Sequence, residues 1–385
     1  MTSSPLEAAR KLAPQIRASA DEIDRQRELP RALFEAIADA GLFHVAVPRA
    51  IGGGEIDLPT YVQMIEEIGK ADASTAWVVN QGAIYATYAA RMPRAAAKKI
   101  WMDPPRAVVA NTPAATGKAV VVPGGYRVTA ERQGFSTGCR HATWVAAHAQ
   151  VVDNGKIRLE PDGTPELRYL LVPVGAAELL DTWHTRGMRG TGTHHFSVHD
   201  VFVPDERTVR SATAPLLEDG PLYKIPRTLC FASGDAAVAL GMARTCLETF
   251  TELAGSKTPR AMPNLLREQS MVQVSVGQCE AWLRSGRAFL MEAVREIWEA
   301  ATRNGVTLEH RANLRIATTH GIRLAAQIID TVYNAAGATA AYDGDLIQRH
   351  FQDIHVITQH LQGRLAHYEL VGRYWLGLPI DQARL

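Results

Sequence analysis

Small and hydroxyl-bearing residues begin the stretch Gln133-Gly-Phe-Ser-Thr-Gly-Cys-Arg-His-Ala-Thr-Trp-Val-Ala-Ala147, which then continues as an apolar segment. Ser136 and Thr137 supply two hydroxyl groups, and Gly138 lacks a Cβ, so backbone amides there can approach a flat ligand closely. A strand rim that binds a planar heterocycle needs this chemistry. An ordinary turn has the same composition, so the stretch alone leaves both interpretations open.

The residues around this stretch change periodicity twice along the chain. Short β-branched runs broken by glycine, such as Ala119–Val122 and Tyr169–Val172, are typical of strands. The sequence Pro123-Gly124-Gly125 between two such runs predicts a hairpin turn. Helical periodicity dominates before and after this region. We therefore predict an α+β, mostly helical fold with three domains: an N-terminal helical domain (1–105), a central β domain (106–215) and a C-terminal four-helix bundle (216–385).

The predicted bundle has four long helices separated by turns that contain glycine; their bounds are Ser233–Ala254, Leu265–Arg303, Leu308–Ala340 and Leu346–Gly372. On a continuous last helix, Asp353, His360 and His367 share one face, because seven residues return to within about 20° of the same direction. The simplest interpretation pairs Asp353 with Arg349 at i, i+4 and makes His360 a packed bundle histidine. A functional His360 is the alternative.

Composition limits the classes of function. The chain has 385 residues, 46% of them hydrophobic, so it can bury a large core in two or three lobes. The 41 basic and 40 acidic side chains nearly cancel, so no strong field favours nucleic acid or an anionic membrane. We expect small molecules and other protein subunits as partners, with no nucleic acid and no membrane.

The cysteines and histidines predict neither a disulfide scaffold nor a metal site. The four cysteines, Cys139, Cys230, Cys246 and Cys279, form no C-x-x-C pair, which favours a reducing compartment. His195 and His199 share one face of a strand, but no third ligand of the right type accompanies them. The start of the chain lacks the features of a signal peptide, and no apolar run is long enough to cross a bilayer. We therefore predict a cytoplasmic protein.

Motifs in a fixed order resemble the acyl-CoA dehydrogenase superfamily over nearly the whole chain; they are Gly41–Pro48, Gly52–Gly54, Glu66–Trp77, Gly187–Thr193 and Val201–Pro204. Three further runs resemble one branch of it, the reduced-flavin monooxygenases that hydroxylate aromatic or heteroatom substrates; these are Pro123–Val128, Phe135–Ala142 and Gln348–Asp353.

The resemblance implies a set of flavin contacts from Asn111, Thr112, Ser136, Thr137, Gly138 and Arg260. Within this set, the Ser136 hydroxyl is expected at the N5/O4 edge of the flavin. Arg260 is expected to meet the flavin phosphates of a neighbouring subunit. The family usually has an aromatic residue two positions before the hydroxyl, whereas this chain has Gly134.

The resemblance also implies a substrate pocket lined by Trp77, Tyr85, His141 and Ile357. Many members have a histidine where this chain has Tyr85, so the substrate differs or is held differently. Core packing is the alternative for Trp77 and Tyr85, because aromatic residues at helical spacing are usually part of a core.

Whether the resemblance implies dehydrogenation or hydroxylation depends on a catalytic carboxylate, for which this chain has no convincing counterpart. Dehydrogenases of the superfamily use a glutamate beside the flavin N5 to remove an α-proton. The two segments that supply this base, which correspond here to Ile354–Leu361 and about Thr228–Asp235, offer no convincing counterpart. The α-C–H is too weak an acid to be deprotonated by neutral side chains. Hydroxylation through a flavin C4a-hydroperoxide needs a dry pocket, a hydrogen-bond donor at N5 and a histidine, and Ser136 and His360 match those catalytic roles.

We therefore expect a flavin-dependent monooxygenase that takes reduced FMN or FAD from a separate flavin reductase. It uses O2 to hydroxylate an aromatic or heteroatom-bearing small molecule, and it assembles as a homotetramer. An acyl-CoA dehydrogenase with a displaced base is the alternative enzyme. A non-catalytic binding or assembly homologue is the alternative from another class of function.

Overall fold

Helices form both ends of the chain, and strands form its middle. The computed structural model describes residues 4–103, 105–211, 213–260 and 262–385. The N-terminal helices are α1 (Pro5–Ala18), α2 (Ala20–Gln26), α3 (Arg31–Asp39), α4 (Leu58–Ala71), α5 (Ala73–Tyr85) and α6 (Arg94–Trp101). The C-terminal helices are α7 (Pro221–Lys224), α8 (Arg227–Ser256), α9 (Ser270–Thr302), α10 (Leu308–Ala336), α11 (Leu346–Ile357) and α12 (Ala366–Trp375). The prediction of a mostly helical α+β fold is confirmed.

Local capping fixes the start of the central helix α5. The Asp72 side chain accepts a hydrogen bond of 2.6 Å from the Thr75 backbone N–H, which satisfies one of the free donors at a helix N-terminus. Almost every residue of α5 is buried, since the helix packs against α4 on one side and α8 on the other. An all-round buried helix of this kind carries its large side chains into the interior.

The strands form one mixed sheet in the order β7-β8-β3-β2-β4-β6-β9, with β1 and β5 paired to β4. Their bounds are β1 (Val109–Asn111), β2 (Gly117–Val122), β3 (Gly125–Ser136), β4 (Trp144–Asp153), β5 (Lys156–Ile157), β6 (Leu167–Pro173), β7 (Glu178–Leu180), β8 (His194–Pro204) and β9 (Thr208–Arg210). The predicted hairpin joins β2 to β3, with Val122 opposite Gly125 and Gly124 at a φ of +79°. This hairpin prediction is confirmed.

The predicted last helix is wrong, because two helices replace it. α11 ends at Ile357, His360 has an extended backbone with ψ of 151°, and α12 begins only at Ala366. Arg323 from α10 stabilises the break, because it donates hydrogen bonds to the carbonyls of Gly363 (2.7 Å) and Thr358 (3.2 Å). These bonds satisfy carbonyls that a helix would have used internally. The proposed common face of Asp353, His360 and His367 therefore does not exist.

Asp353 does not pair with Arg349 as the helical spacing predicted. Its carboxylate instead accepts a hydrogen bond from the Met188 backbone N–H, and Arg349 pairs with Asp21. Burial raises the pKa of Asp353 to about 7, since the charged form loses its hydration. Asp353 thus ties α11 to the loop before β8. Among the residues that the structure describes, no helix combines the length and apolarity needed to cross a membrane.

Candidate active site

A cavity of about 380 Å³ lies where α5, the first turn of α8, the break after α11 and the rim of the sheet meet. We call its two sides the helical wall and the β wall. The helical wall consists of Trp77, Gln81, Tyr85, Arg227, Thr228, Phe231, Val356, Ile357, Gln359, His360, Leu361, Gln362 and Arg364. The β wall consists of Asn111, Pro113, Phe135, Thr137, Tyr169, Trp183, Met188, Thr191 and Thr193.

The structure brings six of the predicted site residues to this cavity; they are Trp77, Tyr85, Asn111, Thr137, Ile357 and His360. Trp77, Gln81 and Tyr85 follow one another at intervals of four residues, so one face of α5 presents all three. The i, i+4 spacing would have found Gln81 as well. The residues that sequence reasoning missed on α8, among them Arg227 and Phe231, follow the same interval.

The β wall owes its shape to irregular pairing in β3. The register of β3 against β8 shifts three times between Val128 and Ser136, and bulges of this kind re-aim side chains near functional sites. Phe135 consequently has a φ of +61°, which a bulky side chain rarely adopts, and its ring is 62% exposed beside the cavity. No local sequence pattern indicates this conformation, because it depends on the partner strand.

Ser136 does not reach the cavity, although its neighbours Phe135 and Thr137 do. Ser136 is completely buried, and its hydroxyl has no hydrogen-bond partner among the described residues. Only one of the two adjacent hydroxyl groups belongs to a residue that lines the cavity. That hydroxyl belongs to Thr137.

The Thr137 hydroxyl ends a chain of three threonines. Its Oγ1 lies 3.0 Å from Thr193 Oγ1, which lies 2.7 Å from Thr191 Oγ1, and Thr191 donates a 2.8 Å hydrogen bond to the Met188 carbonyl. A carbonyl oxygen can only accept a hydrogen bond, so Thr191 donates to the Met188 carbonyl. Thr193 must then donate to Thr191, and Thr137 must donate to Thr193. Thr137 therefore uses its proton within the chain and presents acceptor lone pairs to the cavity.

Thr112 and Gly138 support the β wall from behind. The Thr112 hydroxyl donates a 2.7 Å hydrogen bond to the Gly134 carbonyl. Gly138 has a φ of +67°, which favours glycine, and its N–H donates a 3.0 Å hydrogen bond to the Thr191 carbonyl. Neither residue lines the cavity, and their predicted contacts with a flavin stay predictions.

His141 and Arg260 lie away from the cavity. The His141 ring stacks on Phe34 at 4.6 Å, and its Nε2 lies 2.8 Å from the Leu29 carbonyl, so His141 packs against the N-terminal helices. Arg260 is exposed in the segment between α8 and α9. Its predicted contact with the flavin of a neighbouring subunit stays a prediction.

Gly134 leaves room for a ring from another strand. A Cβ at this position would come within 2.9 Å of the His195 Nε2 atom. The His195 imidazole on β8 therefore fills the space that a side chain at position 134 would take. This packing accounts for the absence of an aromatic residue there.

His360 combines exposure to the cavity with a buried partner. Its ring stands edge-on to Trp77, with centroids 4.9 Å apart. His360 Nδ1 lies 3.1 Å from Asp235 Oδ2 on α8. With Nδ1 facing the carboxylate, Nε2 is the nitrogen available to the cavity. Sequence reasoning found His360 but rejected the segment that contains Asp235.

Asp235 is fully buried and belongs to a hydrogen-bonded network. Asn80 Nδ2 donates 2.8 Å to Asp235 Oδ1, and Tyr61 donates 2.6 Å to Asn80 Oδ1. Burial raises the pKa of the Asp235 carboxyl, while the neighbouring His360 imidazole opposes that shift. Asp235 is the one charged residue between Arg227 and Arg244. A single carboxylate within a run of small and apolar residues was the signal that could have revealed it.

The cavity walls fit a flat heterocycle and a proton-handling group. Phe135 and Trp183 provide aromatic surface, while Asn111 and Thr137 provide polar atoms at its edge, a combination typical of cofactor sites. No aspartate or glutamate lines the cavity among the described residues. The site therefore lacks a carboxylate positioned to deprotonate carbon, and His360 is the titratable base on its wall.

Two family models match the chain. The model described as acyl-CoA dehydrogenase, N-terminal domain, matches residues 6–105. The model described as acyl-CoA dehydrogenase, C-terminal domain, matches residues 233–364. The first match ends before β1, and the second ends beside the break that carries His360.

Individual relatives extend the likeness to the whole chain. Indole-3-acetate monooxygenase of Pseudomonas putida is 30% identical over 94% of this chain and 90% of its own length. The oxygenase component of p-hydroxyphenylacetate 3-hydroxylase from Acinetobacter baumannii is 25% identical over 98% of this chain and 90% of its own. XiaF from Streptomyces sp., solved in complex with FADH2 and glycerol, is 26% identical over 97% of this chain and 95% of its own, with a TM-score of 0.89. The chain therefore belongs to the acyl-CoA dehydrogenase family and is similar over nearly its full length to flavin-dependent monooxygenases of that family.

Proposed function

We propose that the chain is the oxygenase component of a two-component flavin-dependent monooxygenase. It receives FMNH2 or FADH2 from a separate reductase and uses O2 to hydroxylate an aromatic or heteroatom-bearing small molecule. The names of the relatives support this function, since they include monooxygenases of indole-3-acetate, an oxygenase component that acts on p-hydroxyphenylacetate and a protein solved with FADH2.

One observation carries this proposal beyond the family likeness: the cavity has a histidine and no described carboxylate on its walls. Acyl-CoA dehydrogenation removes a proton from carbon and needs a strong, positioned base. Asp235 does not supply that base, because it lies behind His360 and does not line the cavity. A hydroxylation has no such requirement, so the wall chemistry favours the oxygenase over the dehydrogenase.

The β wall would hold the flavin ring, and the flavin supplies the O2-activating chemistry when it is bound. Phe135 and Trp183 offer aromatic surface, and Asn111 offers an amide at the edge. The lone pairs that Thr137 presents can accept a hydrogen bond but cannot donate one. A reduced flavin ring carries one more N–H group than the oxidised ring, so an acceptor on the wall that would hold the ring would favour the reduced form.

His360 handles protons on the opposite wall. The Asp235 carboxylate lies 3.1 Å from Nδ1 and orients the imidazole, as carboxylate partners of functional histidines do. Nε2 then faces the cavity, where it can donate a proton to a developing anion or take one from a substrate hydroxyl. Trp77 packs against the ring and limits its rotation. Asp235 is thus a positioning residue that acts through His360.

Anaerobic enzyme mixed with chemically reduced FMN or FAD, and then with ¹⁸O2 and a panel of aromatic substrates, tests the function. We expect one ¹⁸O atom in the product and no requirement for a thioester. Oxidation of butyryl-CoA by an artificial electron acceptor in the absence of O2 would instead indicate the dehydrogenase. A protein with no affinity for either reduced flavin would be the non-catalytic homologue.

The predicted homotetramer has indirect support from the surface. Leu365, Trp375, Leu376 and Leu378 are exposed close together in sequence near the C-terminus, and exposed apolar clusters typically mark contacts between proteins. In such an assembly Arg260 can approach the flavin phosphates of a neighbouring subunit. Sedimentation of a stable monomer at working concentration would contradict both proposals. The cytoplasmic location stays a prediction.

A further inference from the structure

Gln362 offers one end of its side-chain amide to the cavity. The residue lies in the break after α11 and lines the cavity, although only 2% of its surface is exposed. Its Nε2 atom has no hydrogen-bond partner among the described residues, and it does not belong to the fully enclosed polar atoms that lack a partner. A ligand in the cavity can therefore reach this amide nitrogen.

A buried arginine fixes which end of the amide remains for the cavity. Arg315 on α10 is 2% exposed, and its Nη1 donates a hydrogen bond to Gln362 Oε1. The two ends of a glutamine amide have nearly the same shape, so their hydrogen-bond partners decide the orientation. A guanidinium can only donate. The carbonyl end of the amide must therefore face Arg315, and the NH2 end is left as a donor for the cavity.

The positive charge of Arg315 strengthens this donor. Burial lowers the pKa of Arg315 to about 10, and the Asp235 carboxylate opposes that shift, so the group is a cation at neutral pH. A hydrogen bond from a cation to Oε1 polarises the amide, and linked hydrogen bonds strengthen one another in a buried site. The Gln362 NH2 group is thus a stronger donor than the amide of a glutamine without such a partner.

The same face of α10 holds the backbone around Gln362. Thr319 Oγ1 donates a 3.4 Å hydrogen bond to the Gln362 carbonyl, and Arg323 donates one of 2.7 Å to the Gly363 carbonyl. Arg315, Thr319 and Arg323 follow one another at intervals of four residues, so they lie on one face of the helix. The amide is therefore held at both its backbone and its side chain, which is what the recognition of a single ligand atom requires.

We propose that Gln362 is a specificity-determining residue whose NH2 group donates a hydrogen bond to a carbonyl oxygen of the substrate, and that Arg315 is the positioning residue that fixes the direction of this donor. The inference rests on the monooxygenase function proposed above. A ring that presented only an N–H group to this amide would set one donor against another and leave both unpaired. The helical wall therefore selects an aromatic substrate that carries a carbonyl group.

The experiment compares acetophenone with α-methylstyrene and 1-indanone with 1-methyleneindane, because in each pair a C=CH2 group replaces C=O with nearly the same shape. Binding is measured with full-length protein loaded with reduced flavin under anaerobic conditions. The quantity compared is the ratio of the association constants of the ketone and its alkene. In Gln362→Met this ratio should fall about twofold to tenfold below the wild-type value for at least one pair, as for the loss of one hydrogen bond.

Variants of two neighbouring residues separate recognition from packing. Arg315→Met frees the amide to rotate, so the ratio should fall, and Arg315→Lys should restore part of it, because an ammonium group also only donates. Gln359→Met is the matched control, since Gln359 lies in the same break but is exposed, and its Nε2 donates a 3.3 Å hydrogen bond to Thr358 Oγ1. The control should keep the wild-type ratio. Thermal unfolding identifies an Arg315 variant that does not fold, and Gln362→Met then decides by itself.

An unchanged ratio in Gln362→Met for both pairs, or a wild type that binds neither ketone, would overturn the proposal. So would a Gln362→Met variant that loses affinity for reduced flavin and keeps the ratio, because the amide would then bind a carbonyl oxygen of the flavin. Binding of reduced flavin and incorporation of ¹⁸O are measured without these four probes, so they test the monooxygenase function separately from the role of Gln362.

Discussion

The two walls of the cavity differ in the kind of chemistry that they carry. The helical wall holds the arginines Arg227 and Arg364 and the titratable His360, while the β wall holds only neutral side chains. The β wall offers neutral and partly aromatic surface, which suits a flat ring. Proton transfer needs ionisable groups. In the proposed function, the sheet would therefore bind the cofactor and the helices would act on the substrate.

The largest expected effect follows from removing the imidazole of His360 from the helical wall. His360→Asn should lower hydroxylation about 10²- to 10⁴-fold, the usual loss for a positioned acid–base group. Reduced-flavin affinity, measured by anaerobic titration, should stay nearly constant, because that binding belongs to the opposite wall. A variant that hydroxylates at the wild-type rate would show that His360 is a packing residue. It would also contradict the assignment of proton transfer to the helical wall.

Asp235→Asn should have the next largest effect, about 10- to 100-fold on hydroxylation, as for other residues that orient a functional histidine. The side chain keeps its shape and can still accept from Asn80, so thermal unfolding should change little.

The double variant Asp235→Asn/His360→Asn separates positioning from packing. If Asp235 acts through His360, the double variant should be no slower than His360→Asn alone, since coupled residues are not additive. Independent, multiplicative losses would show that Asp235 has another role.

The smallest effect is expected on the β wall. Thr137→Val keeps the shape of the side chain and removes the acceptor at the end of the threonine chain. The ratio of the dissociation constants for oxidised and reduced flavin should fall about twofold to tenfold, which corresponds to one hydrogen bond. Ser136→Ala is the matched comparison, because its hydroxyl does not face the cavity. A larger change in Ser136→Ala than in Thr137→Val would restore the assignment made from the sequence.

The helices α5 and α11 show why only part of the site was predictable. α5 has a local cap at Asp72 and unbroken helical spacing, so its face with Trp77 and Tyr85 could be inferred from local rules. The run after Leu346 has the same periodicity but breaks after Ile357. No proline or glycine marks the break before Gly363. Arg323 on α10 stabilises it, from a position 35 residues away in sequence.

The sequence by itself determined the mostly helical fold, the hairpin at Gly124 and the family, because these depend on local periodicity and on motifs in a fixed order. Only the tertiary structure decided which hydroxyl of the Ser136-Thr137 pair faces the cavity, since the shifts between β3 and β8 set that direction. It also placed Asp235 behind His360 and Arg227 beside Tyr88. Each of these pairs joins segments more than 100 residues apart, and the energy that selects such contacts comes from packing and burial, which no local pattern records.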